Sequence, residues 1–126
     1  MKLLLDASMP APRVAWNRHG TSVHRWAEGD VTDAELLNVA SKRGYGAVIF
    51  LGPQALARKE LKEASRKQRI AVVATASEVP TDAVRHVENH IDSIVAKATQ
   101  GALLLVRSDG VKRLPWPRLG ASKVSR

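Results

Sequence analysis

Apolar residues along this chain are arranged in two ways: as short unbroken runs, and as longer stretches where they recur every three or four positions. The unbroken runs are Leu3-Leu4-Leu5, Ala47-Val48-Ile49-Phe50-Leu51, Ile70-Ala71-Val72-Val73-Ala74 and Ala102-Leu103-Leu104-Leu105-Val106. Runs without alternation predict strands covered on both faces. Residues 21–26, with Val23 and Trp26, add a further strand, and the turn signal Ser108-Asp109-Gly110 predicts that residues 111–114 return as a hairpin.

Between the runs the spacing is helical. Pro10 and Pro12 suit a first helical turn, and the helix they open carries Val14 and Trp16 and stops at Gly20. Thr32-Asp33-Ala34-Glu35 has the form of a capping box: the Thr32 hydroxyl accepts from the Glu35 amide, and the Glu35 carboxylate reaches back to the Thr32 amide. Leu36, Leu37, Val39 and Ala40 follow as an apolar stripe, closed by Lys42-Arg43-Gly44. Residues 53–68 are strong helix formers, with Pro53 at an allowed early position and Leu56, Leu61 and Ala64 facing inward. A last helix starts at Pro80-Thr81-Asp82 and sets Val84, Val87, Ile91, Ile94, Val95 and Ala98 at helical spacing up to Gly101.

Strand and helix thus alternate before a last strand or hairpin. This is the order of an α/β domain, with a largely parallel sheet of about five strands, helices on its faces and right-handed crossovers. A length of 126 residues suits one domain. Its predicted extent is 1–115, because periodicity stops after Pro115 and leaves residues 116–126 as a basic tail expected to be mobile. Trp116, between Pro115 and Pro117, is an apolar anchor for a partner or for the domain itself.

Composition narrows the function. No apolar run approaches the ~20 residues of a membrane span, and Asp6 interrupts the opening leucines before a signal segment can form, so a cytoplasmic protein is expected. The absence of cysteine excludes disulfides, thiolate metal sites and a cysteine nucleophile. Lys and Arg number 20 against 12 Asp and Glu, a net charge of +8 that points to polyanionic partners. The excess is uneven. Residues 107–126 hold six basic side chains (Arg107, Lys112, Arg113, Arg118, Lys123, Arg126) and one acid (Asp109), a net of +5 that leaves +3 for residues 1–106.

In a parallel sheet the ligand site lies outside the carboxyl ends of the strands. Asp6 stands at such an end, where an acid is costly to desolvate unless it is paired, hydrogen-bonded or bound to a metal. Capping of the following helix near Ser8 to Pro10 is the alternative role. Asp33, in the first turn of its helix, can converge on the same end of the sheet, or serve only as an acid favoured by the helix dipole. Glu35 is a third candidate, although the capping box accounts for it.

These residues carry a resemblance. The opening Leu3-Leu4-Leu5-Asp6-Ala7-Ser8-Met9-Pro10, the pair His19-Gly20, the helix start Thr32-Asp33-Ala34-Glu35-Leu36-Leu37, the strand at 47–51 and the late Leu103-Leu104-Leu105-Val106 with Val111-Lys112-Arg113-Leu114-Pro115 resemble the small PIN-like proteins of bacterial toxin-antitoxin operons. The likeness covers residues 1–115. It implies a three-layer α/β/α domain and a metal-dependent ribonuclease, in which acids hold Mg²⁺ or Mn²⁺ for attack on an RNA phosphodiester. Asp6 and Asp33 match the family's metal ligands, and Asp6, Asp33 and Glu35 are the implied catalytic acids. RNA, a cognate antitoxin and a second copy of the chain are the implied partners. Ala7 and Ser8 stand where the family has Glu and Asn, and Phe50-Leu51-Gly52-Pro53-Gln54 stands where it has Thr-Arg-Asp. Those departures leave a second reading open: a degenerate domain that binds RNA or a protein without cleaving.

The remaining constellations are secondary. Arg58, Lys59, Lys62 and Arg66, with Lys112 and Arg113, are the expected RNA contacts; a solvated helix face is the alternative for the first four. Aromatic residues make up 4% and do not interleave with the cations, so binding is expected to be electrostatic and salt-dependent. His86 and His90 are spaced for one helix flank, and Thr75 and Ser77 suit a turn or a phosphate contact.

Overall fold

A computed structural model describes residues 1–10, 17–18, 20–99 and 101–115. Its elements are β1 (Lys2–Leu5), β2 (Asn17–Arg18), β3 (Thr21–Arg25), α1 (Asp33–Lys42), β4 (Ala47–Phe50), a 3₁₀ turn (Pro53–Ala57), α2 (Lys59–Gln68), β5 (Ala71–Thr75), α3 (Pro80–Asn89), α4 (Ile91–Lys97), β6 (Leu103–Arg107) and β7 (Gly110–Leu114). The strands form one sheet in the order β2-β3-β1-β4-β5-β6-β7. Strands β3, β1, β4, β5 and β6 run parallel, and β2 and β7 are added antiparallel at the two edges. The expected five-strand parallel sheet is therefore the centre of a seven-strand one.

Alternate strand residues fill two separate cores. Leu3, Leu5, Ile49, Val73, Leu104 and Val106 pack with Ala83, Val84 and Val87 of α3 and Ile91 and Ile94 of α4. Leu4, Val48, Phe50, Val72 and Leu103 pack on the other face with Leu36, Leu37 and Ala40 of α1 and Leu61 of α2. The domain is a three-layer α/β/α sandwich, which explains why its strands show no polar alternation. The capping box forms as its spacing predicts, with the Thr32 hydroxyl accepting from the Glu35 amide at 3.2 Å.

Four expectations are corrected. The helix from Val14 to Gly20 lies largely outside the described residues, but Asn17–Arg18 belong to a strand that pairs antiparallel with β3. Gly20, with φ of 79°, turns this hairpin; the same conformational freedom suits it to a helix stop. Residues 53–68 are not one helix. Gly52 (φ 85°, ψ 159°) leads into the 3₁₀ turn, which buries Ala55 and Leu56, and extended Arg58 separates that turn from α2. The stretch from Pro80 is likewise broken at His90, where Nε2 meets the Ser108 carbonyl at 3.0 Å, and its second helix stops at Lys97 short of Gly101. Finally, β4 to β5 and β5 to β6 step in the same direction across the sheet with helices on opposite faces, so the two crossovers have opposite hands and cannot both be right-handed.

Among the described residues no helix is long and apolar enough to cross a membrane. The two-core arrangement predicts that Leu104→Ala, at a fully buried central position, destabilises the domain by ~2–5 kcal/mol. Thr32→Ala, which removes only the cap, is expected to cost ~1 kcal/mol. Urea unfolding of both variants measures the contrast.

Candidate functional site

The parallel strands, taken in chain order, have the spatial order 2-1-3-4-5, whose topological switch falls between β1 and β4. Ligands of such sheets sit in the crevice at the carboxyl ends of the switch strands. A cleft of about 390 Å³ lies there, lined by Asp6, Ser8, Asp33, Leu51, Gln54 and Arg58 among others.

Asp6 follows β1 directly, and its amide extends the ladder to the Ile49 carbonyl at 2.9 Å. Its Oδ2 accepts from the Ser8 hydroxyl and, at 3.3 Å, from the Ser8 amide, while its carbonyl accepts from the Met9 amide at 2.9 Å. Asp6 thus both shapes its turn and faces the cleft, while the helix it was expected to cap falls largely outside the described residues. Arg25, at the end of β3, fixes the same turn from outside: Nε donates to the Met9 carbonyl and Nη2 to the Ala7 carbonyl, each at 2.6 Å. With Met9 fully buried, the loop carrying Asp6 is held by both packing and a charged fork. Arg25 gave no sequence signal, because its partners are backbone carbonyls brought near only by the β1–β3 pairing.

Asp33 is the first residue of α1 and meets Asp6 across the cleft. Burial, then the Asp6 charge, raise the Asp33 carboxyl above its ordinary range; Arg58 opposes this, and Glu60 adds to the rise. Arg58 Nη1 donates to Asp33 Oδ2. The break before α2 makes this contact possible, because an extended backbone at Arg58 places it beside the cleft instead of on a continuous helix.

The far wall follows β4. Gly52 donates its amide to Thr75 Oγ1 at 2.9 Å, and the Thr75 hydroxyl donates to the Ser77 carbonyl at 2.8 Å. Buried Thr75 is a structural brace. A side chain at Gly52 would crowd Gln54 Oε1 and would have to take a backbone conformation (φ 85°, ψ 159°) that L residues rarely adopt. An acid at position 52, where the resembled family has one, would be strained in this backbone. Gln54 instead lines the cleft and donates through Nε2 to Glu78.

The other candidates lie elsewhere. Glu35 is spent on Thr32, whose hydroxyl donates to Oε1 at 2.8 Å, and it does not line the cleft. On α2, Lys59 pairs with Glu63 at 3.9 Å, and Lys62 and Arg66 follow along the helix. Lys112 and Arg113 are on β7, three strand positions from β4. His86 lies in the last turn of α3 and His90 at the break that follows it. The tail at 116–126 lies outside the described residues.

Asp6, Asp33, Ser8 and Gln54 offer hard oxygen donors, the kind Mg²⁺ and Mn²⁺ take, and Mg²⁺ commonly uses one or two carboxylates plus water. The donor set fits a single ion. Among the described residues no group of three or more His, Cys, Asp or Glu side chains is placed to hold a metal.

Asp33 gives a pH prediction. Its folded form holds the proton more tightly than the unfolded chain, so its contribution to stability is full below the ordinary value of 3.8 and is lost as pH rises through the raised folded value. Asp33→Asn is expected to be the more stable protein at neutral pH and to lose that advantage below the carboxylate range, as read by urea unfolding. In carboxyl-carbon NMR the Asp33 midpoint should fall in Asp6→Asn and rise in Arg58→Gln. No family model, curated protein or solved structure matches the chain.

Proposed function

We propose that this chain is a PIN-like domain that cleaves RNA phosphodiesters, with Asp6 and Asp33 holding one Mg²⁺ or Mn²⁺, and that it acts as the toxin of a cytoplasmic toxin-antitoxin pair. One observation carries the reading: two acids from separate elements converge on a single cleft at the switch point of the sheet. The bound ion would supply an activated water and charge stabilisation at the phosphoryl group. The chain's own residues do the rest. Asp6 is presented by a loop that Arg25 and Ser8 hold in place. Asp33, whose charged form is disfavoured by burial and by Asp6, would be stabilised by a bound cation. Arg58, half exposed beside Asp33, can then turn its guanidinium to a phosphate oxygen, a geometry it serves well. Lys59, Lys62 and Arg66 continue the cationic surface along α2 for the RNA backbone. A cognate antitoxin or a second copy would act by covering this cleft.

The Arg58–Asp33 pair favours a second reading. A guanidinium already neutralises one acid, so the cleft can also be complete without a metal, as a degenerate module that binds RNA or a protein without cleavage.

Incubation of single-stranded RNA with the protein and Mn²⁺ or Mg²⁺ separates the two. The nuclease reading expects metal-dependent fragments, lost by about a hundredfold or more in Asp6→Asn while RNA binding in EDTA is unchanged. Binding without metal-dependent cleavage, or cleavage indifferent to Asp6→Asn, leaves the second reading.

A further inference from the structure

The sheet's far edge carries a second cleft, of about 400 Å³, between α4 and the β6–β7 hairpin. Four cations line it, Lys97, Arg107, Lys112 and Arg113, against one acid, Asp109. Asp109 is engaged by Arg107, with Nε at 3.3 Å. Lys112 and Arg113 are exposed and make no side-chain hydrogen bond or ion pair with any described residue.

The backbone of β7 adds to this. The Val106 carbonyl accepts from the Ala76 amide at 2.8 Å, so Val106 turns its peptide groups towards β5. Val106 pairs with Val111 across an antiparallel ladder, which points the Val111 amide and carbonyl outward, off the sheet. Lys97 Nζ donates to that carbonyl at 2.7 Å. A free edge invites an added strand, and a lysine over it is a known defence. An acidic peptide joining the sheet here would have to displace Lys97. A phosphodiester needs only the cations and the open space.

We infer that this cleft binds the phosphodiester backbone of single-stranded nucleic acid, through Lys112 and Arg113 with Lys97 and Arg107 beside them. Its volume suits one or two phosphates of a single strand. The six basic residues of 107–126 concentrate charge in the same part of the sequence. The site is separate from the acidic cleft: β7 is three strand positions from β4, roughly 14 Å at the usual strand spacing. It holds whether or not the Asp6–Asp33 cleft cleaves RNA.

The test is fluorescence anisotropy with a labelled oligouridylate of about a dozen nucleotides, in EDTA, across a salt series. Lys112→Gln/Arg113→Gln is expected to weaken binding about five- to tenfold and to lower the slope of log K against log salt by ~1.4, the loss of two single-strand phosphate contacts. Lys42→Gln/Lys67→Gln, with the same change in net charge, should lose far less. In the unaltered protein, amide NMR signals at Val111, Lys112 and Arg113 should shift on adding the oligonucleotide, a readout that does not depend on any variant folding. Equal losses in the two double variants, or unshifted β7 amides, would overturn the proposal. So would tight binding of polyglutamate at β7 with no binding of RNA. Asp6→Asn/Asp33→Asn should leave this binding unweakened, so loss of cleavage in that variant speaks only to the acidic cleft.

Discussion

The whole arrangement depends on the sheet being buried on both faces at once. Leu3 and Leu5 belong to one core and Leu4 to the other, and the same division repeats at Ile49 against Val48, Val73 against Val72 and Leu104 against Leu103. A slip of one residue in any central strand would exchange the two sets and force leucines sized for one helix layer into the other. Register is therefore fixed by packing, and with it the place where each strand ends. Asp6, Leu51, Ala76 and Ser108 emerge on one rim because the strands before them cannot shift. The chemistry-bearing loops then need only local bracing, which Arg25 gives to the turn at Asp6 and Thr75 to the turn at Gly52.

Within that rim the decisive balance is electrostatic. Two carboxylates share a partly buried cleft with one guanidinium. Burial and mutual repulsion work against charge on Asp33, and Arg58 only partly offsets them. Such a site favours a proton on Asp33. It also has a poor intrinsic attraction for a polyanion.

Much of this was legible where the determinants are local. The Thr32–Glu35 capping box needs only its own four residues, and Asp6 betrays itself as an acid closing an apolar run. The Arg58 contact was hidden because the helix-forming residues around it describe α2 well and say nothing of the kink, which comes from Gly52 being held by Thr75 of the neighbouring strand. Gly20 was ambiguous in itself: its positive φ serves a hairpin as readily as a helix end. The break at His90 and the opposite hands of two crossovers depend on which face each helix covers, and helical periodicity shows that an apolar stripe exists without showing which layer receives it. Asp6 and Asp33 are legible from their places at a strand end and a helix start, but the strain that an acid at position 52 would meet comes from a backbone conformation that only the fold reveals.

The distribution of charge joins these points. At physiological ionic strength the field of an exposed charge fades over ~8 Å, and the β7 cations lie beyond that range from the acidic cleft. They can neither neutralise Asp6 and Asp33 nor be neutralised by them. The acidic cleft and the basic edge are thus electrostatically separate features of one sheet, set at different positions along it. A net charge of +8 read for the chain as a whole conceals this division.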